Sequence, residues 1–168
     1  MKLYIAFGTV DFLKKLREKY KNEKMIEFYN NETAILIHET ARKSVFAAPR
    51  KYEVVIGSGE LDRGAIAVLT YVPITDEGKP LFEYNLTTNK NLLENANGIT
   101  AFRVLRPIKS DTYVVMSIWE KEMSYKKWTQ SSAYEKYEEL INNTKAGLQK
   151  TIFSGPWYTK IFYELQDH

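Results

Sequence analysis

Cysteine is absent from the 168 residues, which removes disulfides, thiolate nucleophiles and cysteine-ligated zinc together. Histidine is nearly as scarce. His38 and His168 are the whole supply, so imidazole acid–base pairs and histidine-rich metal sites have almost nothing to draw on. No run approaches ~20 continuous apolar residues, the length a membrane helix needs. The N-terminus MKLYIAFGTVDFLKKL meets Asp11 and a helical pattern where a secretory leader would have its apolar core and cleavage site. A cytoplasmic location without membrane contact is expected. Gly57-Ser58-Gly59 begins like a nucleotide-binding GxGxxG, but the third glycine would fall at Asp62 and no helix follows at once. Neither a flavin nor a nicotinamide motif is indicated, and a turn is the expected structure there. Charge of one sign is lacking too: 24 basic residues face 21 acidic ones. The lysine-rich runs are interleaved with glutamate or aromatics, as on solvated helix faces, so nucleic acid is not an expected partner.

What is present is a core. Apolar residues make up 44% of the chain and aromatics 14%, which supplies one ample domain or two small units sharing a core. KLYIAFGT reads as a strand, and Val10, Phe12, Leu13 and Leu16 then mark one helical face. KMIEFYNNETAILIHET reads as a hairpin around Asn30-Asn31-Glu32, where asparagine tolerates a left-handed turn. Gly57-Ser58-Gly59 with Asp62-Arg63-Gly64 marks the expected boundary, giving an N-terminal strand–helix–hairpin unit over 1–62 and a second unit over 63–168. From Gly64 the order is strand, helix, strand, strand, helix, strand, the βαββαβ split unit of a ferredoxin-like α+β fold. Pro73 closes its first strand, Thr75 or Asp76 is placed to cap the next helix, and Pro107 with Lys109-Ser110-Asp111 turns between the middle strands. Ser132-Ala133-Tyr134-Glu135 has capping-box spacing, so the last helix is expected to break just after Trp128.

Few side chains in this frame suggest chemistry. His38 falls on the strand face of Ala34 and Leu36 with no second ligand near it in sequence, which favours a structural role. Trp119 and Trp128 are core or cleft-lining residues by default, because indole buries a large area and needs one acceptor. Glu138 and Glu139 point about 100° apart on a helix and do not converge as an acid–base pair. Tyr134 lies one turn before Glu138 on the same face.

The segments NETAILIHET, VFAAPRKYEVV, TDEGKPLFE, FRVLRPIKSDTYV and TIFSGPWY, spread over nearly the whole chain, resemble the HmoB- and TRAP-like branch of the heme-degrading monooxygenases, within the antibiotic biosynthesis monooxygenase (ABM) superfamily. RVLRP followed by SDTYV is the most specific part. The resemblance implies a C-terminal ferredoxin-like ABM domain whose sheet joins the smaller α/β unit in a barrel-like core, so that one chain supplies what two subunits supply in most relatives. A monomer or weak dimer is then expected. It also implies a cleft for heme, as cofactor and substrate, or another aromatic small molecule, with an external electron donor if the protein is active. The family tryptophan, which ruffles the porphyrin, falls at Trp128, while the distal asparagine falls at Thr70 and the proximal, iron-binding histidine at Glu138. Trp128 and Thr70 are thus the candidate catalytic residues, Trp128, Thr70, Glu138 and Tyr134 the candidate heme-binding residues, and Glu138 the candidate metal ligand. A threonine hydroxyl reaches less far than an asparagine amide. A carboxylate favours ferric iron and weakens oxygen binding. The alternative implied by the same resemblance is a TRAP-like non-catalytic stress or signalling protein.

Overall fold

Local chemistry sets the element ends. The computed structural model describes residues 1–142 and 152–164. Strand β1 (Lys2–Gly8) gives way to helix α1 (Val10–Lys19) at Thr9, whose hydroxyl accepts from the Phe12 amide at 3.2 Å. Strands β2 (Met25–Tyr29) and β3 (Ala34–Thr40) form the expected hairpin. Its turn uses no left-handed asparagine: no described non-glycine residue has positive φ. Instead the Asn30 side-chain oxygen accepts from the amides of Glu32 and Thr33 at 2.9 and 3.0 Å, fixing the turn through its side chain.

Strand β4 (Arg50–Gly59) runs through Gly57-Ser58-Gly59, so this cluster is the end of a strand and not the expected turn. The cause lies on the neighbouring strand, where Arg103 sits opposite Gly57. A Cβ on Gly57 would stand 2.5 Å from the Arg103 Cδ, so glycine clears the path of the arginine stem. The chain turns just beyond, at Leu61–Arg63.

The βαββαβ order then appears as read. Strand β5 (Ile66–Pro73) is followed by helices α2 (Lys79–Thr88) and α3 (Asn91–Glu94), strands β6 (Ile99–Pro107) and β7 (Thr112–Trp119), helices α4 (Glu122–Trp128) and α5 (Ser132–Ile141), and strand β8 (Tyr158–Glu164). The expected last strand extends two residues past Glu164, outside the described residues. Helix α2 is not capped by Thr75 or Asp76: its N-cap is Gly78, and the Thr75 hydroxyl accepts from the Gly78 amide one step earlier, at 3.0 Å. The break after Trp128 is where it was expected, but Ser131 is the cap, accepting from the Tyr134 amide at 3.2 Å.

All neighbouring strands are antiparallel, and they close a barrel in the order β1-β3-β2-β8-β5-β7-β6-β4. Four N-terminal strands therefore meet four C-terminal strands at two seams. The β4–β6 seam is long, from Tyr52 opposite Pro107 to Gly59 opposite Ala101, whereas β2–β8 pairs only Phe28 with Glu164 and Tyr29 with Tyr163. Alternation divides each strand between two environments. On β5, Ala67, Leu69 and Tyr71 enter the barrel, while Ile66, Val68 and Val72 pack under the C-terminal helices. On β3, Ile35 and Ile37 enter the barrel, and Ala34 and Leu36 face the cluster that includes Leu13 of α1. His38 shares that outer side, buried, with Nε2 3.1 Å from Glu23, an arrangement that fits the structural role read from the sequence.

The RVLRP text has a structural explanation. Arg103 spans the seam: its guanidinium donates to Glu39 of β3 at 2.6 Å and to the carbonyl oxygens of Ser58 and Gly59 at 2.8 and 2.9 Å. Three charge-assisted contacts to two different strands tie the halves together. Arg106 grips Glu83 of α2 at 2.7 Å, and Tyr113 donates its hydroxyl to the same carboxylate. The pairing with Arg106 holds the Glu83 carboxyl below the usual carboxylate range.

Candidate functional site

Helices α4 and α5 lie over the outer face of β5 and β7, and the break at Thr129–Ser131 turns the chain so that both present aromatic rings to the sheet. Trp128, the last residue of α4, is buried. Its Nε1 donates to the Leu92 carbonyl at 3.0 Å, the single acceptor an indole needs. Around it stand Trp119 at 5.3 Å, Tyr134 at 5.1 Å and Tyr137 at 5.2 Å between ring centroids, in tilted and edge-on contacts. Tyr125 packs against Trp119 at 5.6 Å. Such pairs contribute about 0.5–1.5 kcal/mol each beyond simple burial.

Three of the four candidate residues converge here. Trp128, Tyr134 and Thr70 line one small cavity, together with Val68, Tyr125 and Tyr137. Thr70 projects from β5, and its hydroxyl lies 3.2 Å from that of Thr159 on β8. Glu138 is not among the lining residues; it is half-buried on α5, beside Tyr134. Burial first, and then the Glu138 charge and hydrogen bond, push the Tyr134 phenol up from 10.0 to about 12. Burial likewise raises Tyr125 and Tyr137, so all three phenols stay protonated at neutral pH. No three His, Cys, Asp or Glu side chains gather as a metal site among the described residues. His168 lies outside them.

Heme does not fit the cavity that Thr70, Trp128 and Tyr134 share. The cavity measures about 10 Å³, at or below what one water needs. The indole edge is bonded to Leu92, the Thr70 hydroxyl is engaged with Thr159, and Tyr134 and Tyr137 line the same small space, while a separate cavity of about 510 Å³ opens on the other side of Trp128, between Gly98, Glu120, Lys127 and Ser131. Sequence reading missed Tyr137 and Tyr125. The spacing of Tyr134, Tyr137 and Ile141, at i, i+3 and i+7, was sufficient to put Tyr137 on the buried face.

A closed antiparallel barrel, half of it a βαββαβ unit with an aromatic cluster under its last two helices, places the chain in the ferredoxin-like α+β class. Residues 65–140 match the antibiotic biosynthesis monooxygenase family. The chain is 23% identical over 172 residues to the signal transduction protein TRAP of Staphylococcus epidermidis, with 100% of both chains covered. Among solved structures, that of a major regulator of staphylococcal pathogenesis superposes with a TM-score of 0.87 at 23% identity, covering 99% of this chain and 100% of that one. A heme-degrading enzyme from Listeria monocytogenes gives a TM-score of 0.75 at 20% identity, covering 98% and 100%. At these identities the structural likeness speaks for the fold.

Proposed function

We propose that this chain uses the antibiotic biosynthesis monooxygenase scaffold without heme-opening chemistry, as a TRAP-like signalling or stress protein that acts through a protein contact. The observation that carries this reading is the filled cleft: Trp128 is held by Leu92, Tyr134 and Tyr137, and Glu138 lies off the cavity. With Thr70 and Glu138 where the family resemblance puts an asparagine and a histidine, neither distal amide nor imidazole ligand is supplied. Trp128 then acts as a packing residue. Full-length similarity to TRAP supports the same reading. Barrel closure within one chain, through the β4–β6 and β2–β8 seams, supports two units, 1–62 and 63–168, that need no second subunit.

A second reading is favoured by one observation, the retention of Trp128 at the family position in a fold shared with a heme-degrading enzyme. It requires Tyr134 and Tyr137 to leave the cleft when heme enters. Titration of the purified protein with hemin, followed by ascorbate, separates the two. The first reading expects no saturable Soret shift dependent on Trp128, and no ascorbate-driven bleaching or iron release. A stoichiometric shift followed by ring opening would replace it with the second. Turnover in the Glu138→His and Thr70→Asn double variant of an inert parent would support the site correspondence.

A further inference from the structure

Away from the cleft, one mouth of the barrel opens into a roomier cavity. There, Arg50 and Tyr52 of β4, Thr112 of β7 and Tyr158 of β8 border a cavity of about 580 Å³. Tyr71 lies opposite Tyr158 in the β5–β8 register and stacks on it, with ring centroids 4.9 Å apart and planes 13° from parallel. Tyr52 and Tyr71 belong to the barrel core, so the cavity floor is the packed interior itself. A volume of this size at a barrel mouth, lined by tyrosine rings among polar and basic side chains, has room for a small organic ligand.

Charge selects its kind. Arg50, Lys51 and Lys109 line the cavity, and no Asp or Glu does. Some surface cations are matched, as Lys24 is with Glu60 and Asp62 and Arg42 with Glu23, and what distinguishes the mouth is three cations around one cavity with no acidic side chain in its lining. The three cations of the mouth meet no carboxylate among the described residues. Arg50 is held in place by the Phe7 ring, with its guanidinium carbon 5.2 Å from the ring centroid. Burial pushes the Tyr52 phenol up, opposed by the adjacent Arg50, so at neutral pH it remains a hydroxyl donor. Tyr158 is 47% exposed, leaving aromatic surface for a second planar group.

We propose that this mouth binds a small planar aromatic acid, its carboxylate between Arg50 and Lys109 and its ring against Tyr158. Unmatched cations supply the attraction for the anion, and the Tyr71–Tyr158 stack supplies a flat, rigid wall. The site is separate from the Trp128 cleft, and it stands whether or not that cleft admits heme.

Calorimetric titration of the full chain with naphthalene-2-carboxylate tests it, with naphthalene-2-methanol as the uncharged counterpart. The expected result is saturable one-to-one binding of the acid alone, weakened by salt. Arg50→Ala should lower the affinity about tenfold, the effect of one lost charge-assisted hydrogen bond. Arg50→Glu combined with Lys109→Glu should abolish binding, while circular dichroism shows an unchanged fold at these exposed positions. Tyr158→Leu should weaken it and Trp128→Phe should leave it intact. Absence of binding up to the solubility limit, equal binding of the alcohol, or full binding by the double variant would overturn the proposal. Loss of binding in a folded Trp128→Phe protein would move the ligand to the cleft and overturn it equally.

Discussion

The cleft at Trp128 and the mouth at Arg50 are near opposites. The cleft sits at the position that the family resemblance marks for chemistry, and the cavity where Thr70, Trp128 and Tyr134 meet is about 10 Å³, although Trp128 also borders a more polar cavity of about 510 Å³ outside it. The mouth lies outside that marked position, and its cavity is about 580 Å³. The cleft is built of buried rings with their polar atoms engaged, whereas the mouth is bordered by cations without carboxylate partners. A recognisable aromatic residue therefore marks ancestry, and whether it marks a site depends on the space left around it. Packed aromatic contacts stabilise the fold; unmatched charge beside open volume does little for stability and is available to a ligand.

Substitutions can break this contrast. Trp128→Ala should cost about 3–5 kcal/mol in urea denaturation, the range for a large buried aromatic. A loss below about 1 kcal/mol would mean that the cleft is loosely filled and can open. Tyr137→Phe removes only the hydroxyl that adjoins Thr70 and should cost about 1 kcal/mol by the same measurement.

Alkaline titration sharpens the comparison. Tyr134 has a folded-state pKa raised from 10.0 to about 12, so the native state holds this proton longer than the unfolded chain does. Its stabilising contribution is complete below the unfolded value near 10.0 and is lost as pH rises through about 12. Tyrosinate absorbance in the folded protein should show a late component, and Glu138→Gln should move it to lower pH. The smallest effect belongs to the mouth. Arg50→Ala should change stability by no more than about 0.5 kcal/mol, as at most exposed positions. A larger loss would give Arg50 a structural role and weaken its reading as a ligand-binding cation.

Most of the fold was legible because its signals are local. Hairpin, strand alternation and βαββαβ order follow from spacing two and spacing three to four, and Pro73 and Pro107 end strands where expected. The largest error arose where a distant partner decided the outcome. Gly57-Ser58-Gly59 looks like a turn until Arg103 is brought across it from a strand more than forty residues away. Ser131 supplanted Ser132 as a cap by a single step, within the usual uncertainty of helix ends. The meeting of Trp128 with Thr70 was legible through resemblance and the nearness of Tyr134 through its helical spacing, but the filling of the space between them was not. Cavity volume depends on side chains from six elements at once, and no single stretch of sequence encodes it. The mouth was missed for the same reason: Arg50, Lys109 and Tyr158 are far apart in the chain and ordinary in isolation.

The order of barrel strands has a consequence for synthesis. β8, the last strand, is also the one that closes the ring between β2 and β5. Until it emerges from the ribosome, seven strands can form only an open sheet, with β2 and β5 exposing unpaired amides and carbonyls at its two edges. The β2–β8 seam is short even when formed, so the nascent chain passes through a stage in which these edges can pair with other chains. Truncation within 158–164 would make that passing stage permanent and turn a closed barrel into an aggregating sheet.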